Sequence, residues 1–185
     1  MAGRCLKMKT TNPAEYYKPV EFQSSLLDIF REDIKVNQKK TRLRKFNYIT
    51  HSLSNSAKNT LDAELVKLGY PLSQNAVLFH WPENFAQGIH VDVFPPKFRH
   101  TALNFNLSSP VDLKVQWFRV PPYLGVYSDD SELSFDDSEL IYEEITPACF
   151  LMKTNIPHRA ITNHEATILS IRFFGNPLYE DLCLI

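Results

Sequence analysis

Six segments beyond residue 74 decide the architecture: NAVLFHW (75–81), GIHVDVF (88–94), HTALNFNL (100–107), LKVQWFRV (113–120), PACFLMK (147–153) and ATILSIRFF (166–174). Each is short, rich in β-branched and aromatic residues, and bounded by Pro, Gly, Asn or Asp. No long helical pattern separates them, which argues against alternating βαβ units and for an antiparallel sandwich or barrel. The expected fold is mainly β (α+β): a double-stranded β-helix, or cupin-like jelly roll, over residues 75–185.

Toward the N-terminus the period changes. In SSLLDIFREDIKVNQ (24–38), Leu26, Leu27, Phe30 and Ile34 fall on one helical face, and Ser25 with Asp28 makes a capping-box-like start. In SNSAKNTLDAELVKLGYP (54–71), Leu61, Leu65 and Leu68 form a second stripe, and Gly69 then Pro71 supply a stop. Both stripes need cover, so residues 1–74 are expected to be a helical extension packed on the sheet, within one compact domain. The length of 185 residues agrees, at about 150 residues per domain.

Composition excludes several classes. The formal net charge of −1 gives no overall pull toward nucleic acid or acidic membranes. Charge is nonetheless divided: residues 1–50 carry 11 bases and 5 acids, and residues 51–185 carry 9 and 16. The basic excess lies mostly in 35–45 and reads as a solvated helix end, so nucleic acid is not an expected partner. The acidic stretch 128–144 reads as a solvated loop. No apolar run approaches the ~20 residues of a spanning helix. The opening MAGRCLKMKTTNPAEYY lacks the apolar centre of a secretory signal, and the expected location is the cytoplasm. Cys5, Cys149 and Cys183 are too far apart for a zinc knuckle. No GxSxG elbow, P-loop or GxGxxG is present.

The chemistry gathers in three pieces. In an extended GIHVDV, His90 and Asp92 point one way while Ile89, Val91 and Val93 point the other. Alone, HxD would be an ordinary polar strand face. A second histidine, His158, follows a proline at a strand start in TNIPHRAITN (154–163). The third piece places Arg172 in an otherwise apolar strand, sharing a face with Ser170 and Ile168, while Leu169, Ile171 and Phe173 face the core. An arginine there needs an acidic neighbour or an anionic ligand, and its planar fork suits a carboxylate. Two imidazoles and a carboxylate on one face of an ion leave three positions open, the ligand set of non-haem iron(II) oxygenases.

In the order HxD…H…R, with its strands and the ALNFNL segment between, the chain resembles the Fe(II)/2-oxoglutarate-dependent dioxygenase superfamily over residues 75–175. The resemblance implies His90, Asp92 and His158 as iron ligands and catalytic residues, and Arg172 as a carboxylate holder for the cosubstrate 2-oxoglutarate. Asn104, Asn106 and Ser170 would add polar contacts to cosubstrate or substrate. It implies conversion of 2-oxoglutarate and O2 to succinate and CO2, coupled to hydroxylation of a small-molecule or amino-acid/peptide substrate. Arg172 follows His158 at a longer spacing than in many members, which leaves open which carboxylate of 2-oxoglutarate it holds. The alternatives are a non-catalytic jelly-roll ligand-binding domain, or a metal cupin without 2-oxoglutarate. A cupin would favour HxH with a downstream Glu.

Overall fold

The computed structural model describes residues 12–37, 48–94, 97–98, 100–109, 112–119 and 139–185. The expected basic run from residue 38 onward, the acidic loop over 128–138, and Cys5 lie outside the described residues.

The strands are β1 (Tyr17–Pro19), β2 (Tyr48–His51), β3 (Ser73–Trp81), β4 (Phe85–Ala86), β5 (Val93–Phe94), β6 (Lys97–Phe98), β7 (Thr101–Asn106), β8 (Lys114–Arg119), β9 (Glu139–Ile145), β10 (Cys149–Lys153), β11 (His158–Thr162) and β12 (Ala166–Phe173). A six-stranded sheet runs β1-β10-β7-β12-β3-β2, a four-stranded sheet runs β4-β11-β8-β9, and β5 pairs with β6. Every pairing is antiparallel. The two larger sheets enclose one core, containing Trp81, Leu113, Val115, Trp117, Phe150 and Ile168. This is the jelly roll expected from the sequence.

Helices α1 (Ser24–Asn37), α2 (Asn55–Lys67) and α3 (Tyr179–Cys183) contribute to a second core on the other side of the six-stranded sheet. Leu26, Phe30 and Ile34 of α1 and Leu61 and Leu65 of α2 meet Leu103, Phe105, Leu169, Ile171 and Phe173 there. Phe30 packs edge-on against Phe105 at 4.9 Å between centroids. The Ser54 hydroxyl caps α2 by accepting from Ala57 N at 3.2 Å. At its other end Gly69, at φ +75°, closes a Schellman turn in which Tyr70 N donates to Leu65 O and Gly69 N to Val66 O. Asp28 does not close the anticipated capping box; its carboxylate accepts from Arg31.

The N-terminal third also supplies edge strands β1 and β2 to the large sheet. Residues 139–144 correct the loop reading: they belong to β9, an edge strand whose Ile141 and Tyr142 are half-buried. An edge strand tolerates the flanking glutamates, one of which, Glu143, pairs with Lys114 of β8. No described helix is long and apolar enough to cross a membrane.

Candidate metal centre

The HxD segment is not a regular strand, as its alternation had suggested. His90 stands as an isolated antiparallel bridge opposite His158, at the start of β11. His90 N donates to His158 O at 2.9 Å, and His158 N returns the bond to His90 O at 2.8 Å. Residues so paired project side chains to the same face, and the two rings lie 4.5 Å apart between centroids. Two residues on, Asp92 N donates to Thr154 O at 3.0 Å, which fixes the backbone carrying the carboxylate. Ile89 and Val91, which flank His90, are buried and do not line the cavity that His90 and Asp92 face, so the alternation itself holds.

The histidine tautomers follow from their partners. His90 Nδ1 lies 2.9 Å from Gly88 O and His158 Nδ1 lies 2.8 Å from Ile156 O. A carbonyl only accepts, so each Nδ1 carries the proton and each Nε2 presents a lone pair. Backbone carbonyls that orient ligand imidazoles in this way are a usual outer shell of metal sites. One ligand atom from each of His90, Asp92 and His158 lies within 4.8 Å of the others. Ligands on an ion with bonds of about 2.1 Å lie about 3 Å apart when adjacent and about 4.2 Å when opposite. The group therefore needs little movement to share one cation. His90 Nε2 and Asp92 Oδ1 face each other at 3.5 Å, an arrangement of two acceptors that a cation between them would relieve.

Arg172 completes the cluster. Its Nη2 donates to Asp92 Oδ2 at 2.5 Å, so Oδ1 remains on the side of the imidazoles. Its Nη1 is buried with no hydrogen-bond partner among the described residues. Burial disfavours the Asp92 anion, but the Arg172 charge outweighs it and holds the carboxyl well below the usual carboxylate range. Burial also pushes the His158 imidazole down to about 4, with His90 adding to the effect and Asp92 opposing it. Both groups are thus in their metal-ligating forms at neutral pH.

These side chains line one end of a cavity between the two main sheets. Ser170 and Asn104, directly paired across β12 and β7, also line it. Asn106 does not: it is buried at the end of β7, where its Oδ1 accepts from Ser108 N at 3.1 Å. The β12 alternation is as expected, with Leu169, Ile171 and Phe173 in the helix-facing core. Sequence reasoning missed Gln87, whose amide donates to His90 Nε2 at 3.2 Å. It also missed Thr154, whose carbonyl anchors Asp92. Neither carries a pattern in the sequence; Gln87 is marked only by its place beside Gly88. The other histidines lie elsewhere: His80 faces Thr167 and Glu165, His100 meets Asn155, His164 lies near Asp112, and His51 pairs with Asp33.

No family model matches the chain, and no curated protein matches it in sequence. Solved structures do share its fold. A Pseudomonas putida prolyl-4-hydroxylase superposes with a TM-score of 0.52 at 12% identity, covering 86% of this chain and 92% of that one. The non-heme alpha ketoglutarate dependent epimerase SnoN from nogalamycin biosynthesis gives 0.53 at 14% identity, covering 85% and 77%. At such identities the likeness establishes the jelly roll, and the chemistry rests on the site.

Proposed function

We propose that the protein is a non-haem Fe(II)-dependent oxygenase driven by a 2-oxo acid of the 2-oxoglutarate class, hydroxylating a small-molecule or amino-acid/peptide substrate. The observation that carries this reading is the convergence of two unprotonated Nε2 atoms and one carboxylate oxygen beside a buried guanidinium with a free Nη1. Three neutral-nitrogen and hard-oxygen donors suit Fe(II) and leave positions for exogenous ligands. The structural neighbours with this jelly roll include an alpha ketoglutarate dependent enzyme, which supports the same class.

His90, Asp92 and His158 would hold the iron. Iron held there would supply the redox chemistry, the coupling of O2 reduction to oxidative decarboxylation of the 2-oxo acid, with one oxygen atom going to the acid product and the other to the substrate C–H bond. The protein's own part is placement. Gly88 O and Ile156 O keep both imidazoles in the ligating tautomer. Arg172 orients Asp92 through Oδ2 and presents Nη1 to an anionic group bound beside it. Apolar side chains, among them Leu113, Val115, Phe150 and Ile168, also line the cavity.

The test is CO2 release from carboxyl-labelled 2-oxoglutarate, with succinate as co-product, by protein loaded with Fe(II). The account expects turnover that needs both iron and O2 and is lost in His158→Ala. Metal uptake without decarboxylation of any 2-oxo acid would leave a metal cupin.

A further inference from the structure

We infer that the cavity is shaped for a 2-oxo acid with an apolar tail, and that Arg172 grips the carboxylate at the metal end rather than one at the far end. This rests on the oxygenase reading above and concerns which cosubstrate the site accepts.

Strand β12 runs along the cavity away from the metal group. Its cavity-lining residues are Arg172, Ser170 and Ile168, each step along one face being about 7 Å. At the first level the guanidinium turns to Asp92, itself a candidate ligand, so the free Nη1 is held close to any anion bound at the metal. At the second level stand Ser170 and its cross-strand neighbour Asn104, both neutral, with Asn104 Nδ2 turned to Met152 Sδ at 3.7 Å. At the third level Ile168 pairs directly with Phe79, and Leu113, Val115 and Phe150 line the same cavity.

Among the described residues lining the cavity, Arg172 is the sole permanent cation. 2-Oxoglutarate has two carboxylates at opposite ends of its chain. With the guanidinium committed at the metal end, the distal carboxylate would enter a region of neutral and then hydrocarbon side chains, where a buried charge without a counter-charge is costly. A branched or aromatic tail would gain by leaving water for the same surface. The α-carboxylate and 2-oxo group are common to all such acids, so the head-end contacts would be unchanged.

The experiment titrates anaerobic, Fe(II)-loaded protein with 2-oxoglutarate, 2-oxo-4-methylpentanoate, phenylpyruvate and pyruvate, reading the visible charge-transfer band of the chelate. The expected result is a Kd for 2-oxo-4-methylpentanoate or phenylpyruvate at least ten-fold below that for 2-oxoglutarate. Arg172→Gln should weaken all four acids by a similar factor, and Ile168→Arg should shift preference at least ten-fold toward 2-oxoglutarate. The wild-type series alone keeps the inference open to refutation if either variant fails to fold. Tighter binding of 2-oxoglutarate than of the apolar acids, or a loss in Arg172→Gln confined to 2-oxoglutarate, would overturn the tail assignment while leaving the oxygenase reading intact. A bound metal that gives no band with any of the four would overturn both.

Discussion

His51 with Asp33, and His90 with Asp92 and His158, are two groups of the same residue types in one fold. In the first, both Asp33 oxygens accept from Ser54 N at 3.2 and 3.3 Å, and Oδ2 also meets His51 Nε2 at 3.2 Å. The carboxylate's partners are the imidazole and the backbone that leads into α2. Burial opposes ionisation of Asp33, but the Ser54 and His51 bonds prevail and lower its pKa. In the second group the bonds to backbone are made by the other ring nitrogens, and the functional atoms point at one another. The first pair braces α1 against the turn after β2. The second brings three possible ligand atoms together beside a guanidinium Nη1 with no hydrogen-bond partner among the described residues, and that surplus distinguishes a site from a brace.

Substitutions can break this contrast. The largest expected effect is loss of metal: His158→Ala should raise the Kd for Co(II) or Mn(II) more than about 100-fold, beyond the range typical of outer-shell changes, whereas His51→Ala should leave it unchanged. Equilibrium dialysis measures both. Asp33→Ala should act the other way, costing about 3 kcal/mol in urea unfolding because a buried imidazole and Ser54 N–H lose their acceptor, while still binding one metal per chain.

Acid should separate the two groups further. Folded His158 stays neutral down to about pH 4, whereas an unfolded imidazole takes up its proton near pH 6.5. Between these values the unfolded chain holds the extra proton. Stability of the metal-free protein is therefore full above about pH 6.5 and falls as pH drops toward 4, by about 3 kcal/mol for this group. The slope over that window should shrink in His158→Gln. Asp33, with its lowered pKa, contributes stability that persists above the ordinary carboxylate pKa and is lost only as pH falls below it. The smallest effect concerns Gln87, whose amide occupies the lone pair of His90 that a metal would take. Gln87→Ala should tighten metal binding about five-fold, the equivalent of one ordinary hydrogen bond.

What could be read in the sequence was whatever has a period or a local cap. The two-residue alternation of β12 separates Arg172 and Ser170 from Leu169 and Ile171, and both sides are where alternation puts them. Gly69 marks the end of α2 because the turn there requires positive φ. The pairing of His90 with His158, by contrast, is a contact between distant positions, and only the resemblance to a known ligand order brought those residues together. Edge strands β1 and β2 are short; β1 takes its partner from far along the chain and β2 pairs with β3 across the intervening α2, so no local pattern announces them. β9 was hidden because exposed glutamates mask its alternation. The Asp33–His51 pair joins a helix to a strand, and Gln87 reaches His90 from a segment with no periodicity.

The most direct measurement is pulsed electron paramagnetic resonance on the protein loaded with one equivalent of Cu(II). The account predicts modulation from two coordinated imidazoles, reduced to one in His90→Ala and in His158→Ala and unaltered in His51→Ala. A single imidazole in the wild type, or a signal indifferent to His90 and His158, would contradict a shared cation at this centre.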